Sequence, residues 1–127
     1  MCRSAMAEAI TRGLRPEIEV LSCGLKTIPN YPATNDAKTV VAEKGWNLEN
    51  HASKNDSSGI LEDSLILCMT ENHRSILKKR YPSLNSFLLS EIGTGTQEQI
   101  LDPIGKGIYE YRRTLNSLIN QIEIILV

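Results

Sequence analysis

Asp63-Ser64-Leu65-Ile66-Leu67-Cys68-Met69 is an unbroken apolar run behind two polar residues. A strand wetted on one face alternates polar and apolar side chains. A run without alternation marks a strand covered on both faces, which means a parallel sheet with helices above and below. Thr70 follows directly and can cap a helix reaching about Arg80, with Ile76 and Leu77 turned inward. Ser86-Phe87-Leu88-Leu89 then predicts a second strand, and the segment Ser90–Pro103 a long loop. The last helix is expected from about Lys106 to Leu126, because Ile108, Tyr111, Leu115, Leu118, Ile119, Ile122 and Ile125 recur at helical spacing. Its apolar tail, Ile122–Val127, has a strand as its alternative reading.

The chain ahead of this run repeats the alternation of elements. Ser4 to about Leu14 reads as a helix with Ala5, Met6, Ala9, Ile10 and Leu14 on one face, Gly13 as a stop signal and Pro16 beyond it. Ser4 is its expected N-cap, with Glu8 in the first turn. Glu17-Ile18-Glu19-Val20-Leu21-Ser22 alternates and predicts a strand. Thr34 or Asn35 caps a helix to about Lys44, closed by Gly45. Trp46–His51 is a short extended connection, and a helical turn is expected near Ser58–Glu62. The order α-β-α-β-α-β-α argues for a three-layer α/β/α sandwich with a small parallel sheet, in one domain over residues 1–127. Such folds normally open on a central strand that feeds the first helix, and here no such strand precedes Ser4.

Composition narrows the function. A formal net charge of −1 gives no bulk attraction to nucleic acid or acidic lipid, so neither is expected as a partner. No apolar run approaches the ~20 residues of a membrane span. No signal-peptide pattern is read at the start. The three cysteines, Cys2, Cys23 and Cys68, lack zinc or CxxC spacing, and their odd number fits reduced thiols in a cytoplasmic location. No metal or other cofactor is expected.

The chemistry concentrates at Met1-Cys2-Arg3-Ser4-Ala5-Met6-Ala7-Glu8. Free N–H groups of a first helical turn favour anions, and Arg3 adds a planar cationic fork beside them. Cys2-Arg3-Ser4 resembles the second half of the C-x5-R-[ST] phosphate loop of the low-molecular-weight protein tyrosine phosphatase family, bacterial type. Further segments resemble that family in its order. They are Ser22-Cys23-Gly24, His51-Ala52-Ser53-Lys54, Leu65–Thr70 followed by Asn72-His73, Leu101-Asp102-Pro103-Ile104-Gly105, and Tyr109-Glu110-Tyr111-Arg112. The resemblance spans nearly the whole chain.

It implies dephosphorylation of a phosphorylated protein through a phosphocysteine, as in a protein tyrosine phosphatase, with a protein-arginine phosphatase acting on phosphoarginine as an alternative. Arg3 would bind phosphate together with Ser4 and Cys2. Ser4 would orient the thiolate, and Asp102 would be the general acid. Asp-Pro is also a common turn, the alternative for Asp102. The family's nucleophilic Cys would stand upstream of Met1, together with the first strand, so the chain itself is expected to be inactive. Cys2 matches the family's second loop cysteine, whose alternative is a plain thiol; it is badly placed to replace the nucleophile. Ile104 stands where an aromatic commonly follows Asp-Pro, which removes one wall for a phosphotyrosyl ring; Tyr31 could supply another. His51 is expected to be structural and His73 a solvent-facing helix residue. The alternatives are a non-catalytic phosphate- or phosphoprotein-binding relative and an arsenate reductase, the latter needing a cysteine relay. Without the central strand, burial worth ~1.5–3 kcal/mol per large side chain is lost from a net stability of ~5–15 kcal/mol, so the chain is expected to be marginal or homo-oligomeric.

Overall fold

The computed structural model describes residues 2–25, 28–56 and 62–126. Helix α1 (Cys2–Leu14) is followed by α2 (Asn35–Glu43), strand β1 (Ile66–Cys68), α3 (Glu71–Arg80), strand β2 (Ser86–Leu88), the short α4 (Leu89–Ile92) and α5 (Ile108–Ile125). β1 and β2 pair in parallel, with Leu67 opposite Phe87. Alternation along β1 divides the interior into two cores. Ile66 and Cys68 pack with Leu77 of α3 and with Leu88. Leu67 and Met69 turn to the other side, toward a larger core of Met6, Ile10, Val40, Val41, Leu115 and Leu118 from α1, α2 and α5. That is the α/β/α layering expected from the apolar run.

Two helix starts are as the sequence predicts. Thr34 Oγ1 accepts from Ala37 N at 3.3 Å and Thr70 Oγ1 from His73 N at 3.2 Å, the N-cap arrangement. Gly45 closes α2 with φ +83°, a left-handed conformation that suits a residue without Cβ. Ser4 is not a cap. Helix α1 already includes Cys2, so Ser4 lies inside the first turn and Glu8 beyond it. Leu89–Ile92 form a helical turn where the sequence predicts the last strand residue, Leu89, and the start of the loop at Ser90. The tail is helical through Ile125 rather than extended. The turn expected near Ser58–Glu62 lies, apart from Glu62, outside the described residues.

The strand expected at Glu17–Ser22 does not form. Pro16 to Ile18 form a turn, with Ile18 N donating to Arg15 O at 3.1 Å, and the bridge nearest the segment is that of Gly24 with Asn55, in parallel. Among the described residues, no N–H of residues 19–23 donates to another main-chain group. The alternating pattern is present and Leu21 is nevertheless 47% exposed, because among the described residues no strand runs alongside to complete the ladder. Between this segment and β1 opens a trough of about 1050 Å³, whose lining includes Leu21, Cys23, Leu65, Leu67, Ile76 and Ile122. β1 is correspondingly short, and Leu65, at the head of the run, is 60% exposed.

Candidate active site

At one end of the trough, α1 begins beside the loop that precedes α5. Arg3 projects from the first turn, and its side chain is only 12% exposed. Its Nη1 donates to Ile100 O at 2.8 Å, and its Nη2 stands 3.9 Å from Asp102 Oδ2. The loop is fixed in turn. Ile100 N donates to Met69 O at 2.9 Å, and Gln99 Oε1 accepts from Glu71 N at 2.8 Å. Asp102 Oδ1 accepts from Ile104 N at 3.1 Å, the local turn that Asp before Pro favours. Pro103 is fully buried while the Asp102 carboxylate remains 42% exposed. A firmly seated backbone thus presents a carboxylate that solvent or a ligand can reach.

Burial pulls the Arg3 guanidinium below its ordinary pKa, with the charges of Asp102 and Cys2 opposing. Arginine stays charged throughout the physiological range, so the site holds one largely buried cation beside one accessible carboxylate. That pair can bind an anion at the guanidinium and exchange a proton at the carboxyl.

His73 joins them. It occupies the third position of α3 behind the Thr70 cap, is half-buried rather than solvent-facing, and lines the trough with Arg3, Asp102 and Asn72. Its imidazole titrates below the ordinary histidine range. Burial is the main cause; Arg3 adds to it, and Asp102 opposes. One signal for this residue was present in the sequence. Ligands of parallel α/β sheets gather beyond the carboxyl ends of the strands, and α3 starts there.

Ser4 is half-buried and lines the trough. The Cys2 thiol does not: it is 1% exposed, with Sγ 3.2 Å from Tyr111 Oη and 3.5 Å from Thr34 Oγ1. The first turn of α1 directs adjacent side chains to different sides, so Arg3 reaches the trough while Cys2 enters the core. This buried polar contact joins α1, α2 and α5. Burial, aided by the Cys2 contact, pushes the Tyr111 hydroxyl up to about 12. His51 packs its Nδ1 3.7 Å from Glu8 Oε2, and Ser22 Oγ donates to Glu8 Oε1 at 3.1 Å. Glu8 is therefore a tie between α1 and two loops, a role its helical spacing did not reveal.

The other two thiols are poor nucleophiles. Burial raises the Cys23 thiol, and it raises Cys68 to about 11. Reactive cysteines are shifted the opposite way. Among the described residues no cluster of three or more His, Cys, Asp or Glu could hold a metal ion, and no helix is long and apolar enough to cross a membrane.

Comparison with known proteins gives this geometry a context. Residues 1–126 match the family model described as low molecular weight phosphotyrosine protein phosphatase. The chain is 33% identical over 124 residues to a protein-arginine-phosphatase of Bacillus subtilis, covering 92% of this chain and 82% of that one. It is 28% identical over 119 residues to the probable low molecular weight protein-tyrosine-phosphatase EpsP of Ralstonia nicotianae, covering 93% of this chain and 81% of the relative. The solved structure of the YwlE arginine phosphatase from Geobacillus stearothermophilus superposes with a TM-score of 0.91 at 31% identity, over 96% of this chain and 81% of that one.

Proposed function

Since the chain belongs to the low molecular weight phosphotyrosine protein phosphatase family, we propose that it is the greater part of a cysteine-dependent protein phosphatase. Its substrate is a phosphorylated protein, and Arg3 holds the phosphoryl group. The observation that carries this reading is the approach of Arg3 and Asp102 to 3.9 Å at the mouth of a shared trough.

In the proposed reaction, a thiolate attacks phosphorus and a P–S bond forms as the bond to the leaving group breaks. Asp102 gives its proton to the departing atom. The resulting carboxylate then takes a proton from water while the water oxygen attacks phosphorus, and the thiolate leaves. Arg3 and first-turn N–H groups carry the charge that builds on the phosphoryl oxygens. Ser4 is placed in this reading to orient the thiolate. None of the chain's own thiols suits the attack. Cys2 is spent on Tyr111, while Cys23 and Cys68 are held protonated by burial. The reading therefore supplies the nucleophile from residues ahead of Met1. It requires no cofactor.

A phosphoramidate substrate, phosphoarginine, is favoured over phosphotyrosine by one feature of the site. Ile104, 55% exposed beside Asp102, offers no ring for stacking. The two reactions differ only in whether oxygen or nitrogen receives the Asp102 proton.

A second reading is supported by the same thiols: a chain that binds phosphate or phosphoprotein without turning it over. Hydrolysis of a phosphotyrosine or phosphoarginine model compound separates the two. Residues 1–127 alone are expected to match the buffer rate. The same chain extended upstream through a strand and a Cys should turn over, and Asp102→Asn in that extended protein should lower kcat ~10²–10⁴-fold. Normal turnover by residues 1–127 would refute the assigned nucleophile.

A further inference from the structure

The loop that carries Asp102 hangs on few bonds. Among the described residues, Ile100 N, donating to Met69 O at 2.9 Å, is the one main-chain donor of residues 97–103 bonded to another main-chain group. A single bond lets a loop pivot about it. A second bond from the adjacent residue removes that freedom: Gln99 Oε1 accepts from Glu71 N at 2.8 Å. One bond lands just past the end of β1 and the other on the first residue of α3. Ile100 O in turn accepts from Arg3 Nη1 at 2.8 Å, and Asp102 Oδ2 stands 3.9 Å from Arg3 Nη2. The angle at which the loop leaves Gln99 therefore decides where the Ile100 carbonyl and the Asp102 carboxylate meet Arg3. We propose that Gln99 is a positioning residue of this site, one that holds the loop in the orientation that brings Asp102 to Arg3.

Helix α3 has little need of this glutamine for itself. The N–H groups of a first turn lack partners within their helix, and Thr70, whose Oγ1 accepts from His73 N at 3.2 Å, already supplies the local cap. Glu71 adds a favourable charge in the same turn. The loop gains more. Through Gln99 it acquires a second point of attachment on a fixed body, because Leu77 locks α3 against Ile66, Cys68 and Leu88. The two ends of the loop are held by other means. Thr94 N donates to Gln121 Oε1 at 2.9 Å on one side, and Pro103 is buried on the other. What is left to Gln99 and Ile100 is the stretch that aims the carboxylate. The inference rests on the phosphatase reading only in taking Arg3 as the phosphoryl-binding group and Asp102 as the proton donor.

Hydrogen exchange followed by NMR on residues 1–127 tests this without any need for turnover. Gln99→Ala should speed exchange of the Glu71 amide roughly three- to tenfold, the factor that one ordinary hydrogen bond carries. It should also speed exchange of the Ile100 amide and of the Arg3 guanidinium protons, by about twofold or more, as the loop pivots away from Arg3. Gln99→Glu keeps an acceptor at the same reach, beside a helix N-terminus that favours a carboxylate, and should restore all three. The amides of Val40 and Val41, buried in the larger core, are the reference and should not change. A glutamine that serves α3 alone would move the Glu71 amide and leave the Arg3 protons as they were. That result would overturn the proposal, as would a failure of Gln99→Glu to restore them, or acceleration of the Val40 and Val41 amides by the same factor. Inorganic phosphate should shift the Arg3 Nε signal of the unmodified chain. If it does not, while Gln99→Ala acts on Arg3 as stated, the phosphoryl-site reading fails and the positioning of the loop stands.

Discussion

At the scale of single residues, the chain separates its charged groups from its thiols. Arg3 and Asp102 share the mouth of a trough, while Cys2, one residue from Arg3, is sealed against Tyr111. Cys68 gives this separation a measurable pH dependence. Its thiol is raised from 9.0 to about 11, chiefly by burial. Below pH 9 the thiol is protonated whether the chain is folded or not, so nothing changes. Between 9 and 11 the unfolded thiol ionises and the folded one does not. Stability that is fully present below that window is therefore lost as pH rises through it. Urea midpoints measured across this range should fall for the unmodified chain. They should fall less steeply for Cys68→Ala; equal slopes would show that burial does not hold this proton.

At the scale of elements, the joint between α1 and the end of α2 is the least forgiving. A Cβ on Gly13 would stand 2.1 Å from Trp46 Nε1 and 2.3 Å from its Cδ1. Alanine is the better helix former by ~1 kcal/mol, but overpacking costs ~1–3 kcal/mol, and a rigid indole has little room to yield. Gly13→Ala should therefore lower stability by ~1–2 kcal/mol and red-shift Trp46 emission as the ring moves toward water. Unchanged emission with raised stability would mean that helix propensity wins.

Sequence reading of these elements succeeded where a cause is local. Thr34 and Thr70 cap their helices because a hydroxyl and an amide three residues on need nothing else. The apolar run at β1 announces cover on both sides, and from Ile66 to Met69 a core lies on each side, while Leu65 is left exposed. It failed where the cause is a neighbour. The alternation of Glu17–Ser22 is a strand pattern without a strand beside it. His73 reads as one polar residue on a charged helix, and only the fold brings it to the lining of one trough with Arg3 and Asp102. The join of Arg3 to Asp102 could be expected from family resemblance, but no spacing rule reaches across such a separation.

At the scale of the whole molecule, the trough dominates behaviour. Among the described residues, the segment before Gly24 and one edge of β1 have main-chain groups without ladder partners, beside exposed Leu21 and Leu65. Open edges next to apolar surface recruit other strands. Residues 1–127 should self-associate as concentration rises between about 1 µM and 1 mM, the regime in which such surfaces aggregate. Sedimentation velocity checks this; a single monomeric boundary throughout would show that the edges are protected. The larger core carries a further consequence. It joins Met6 and Ile10 of the first helix to Leu115, Leu118 and Ile122 of the last. During translation α1 emerges well before α5, its partner in that core. Until α5 is made, the apolar face of α1 has only α2 to cover it, a natural handhold for a chaperone at the ribosome exit, and a stop codon placed before α5 would leave much of that face exposed for good.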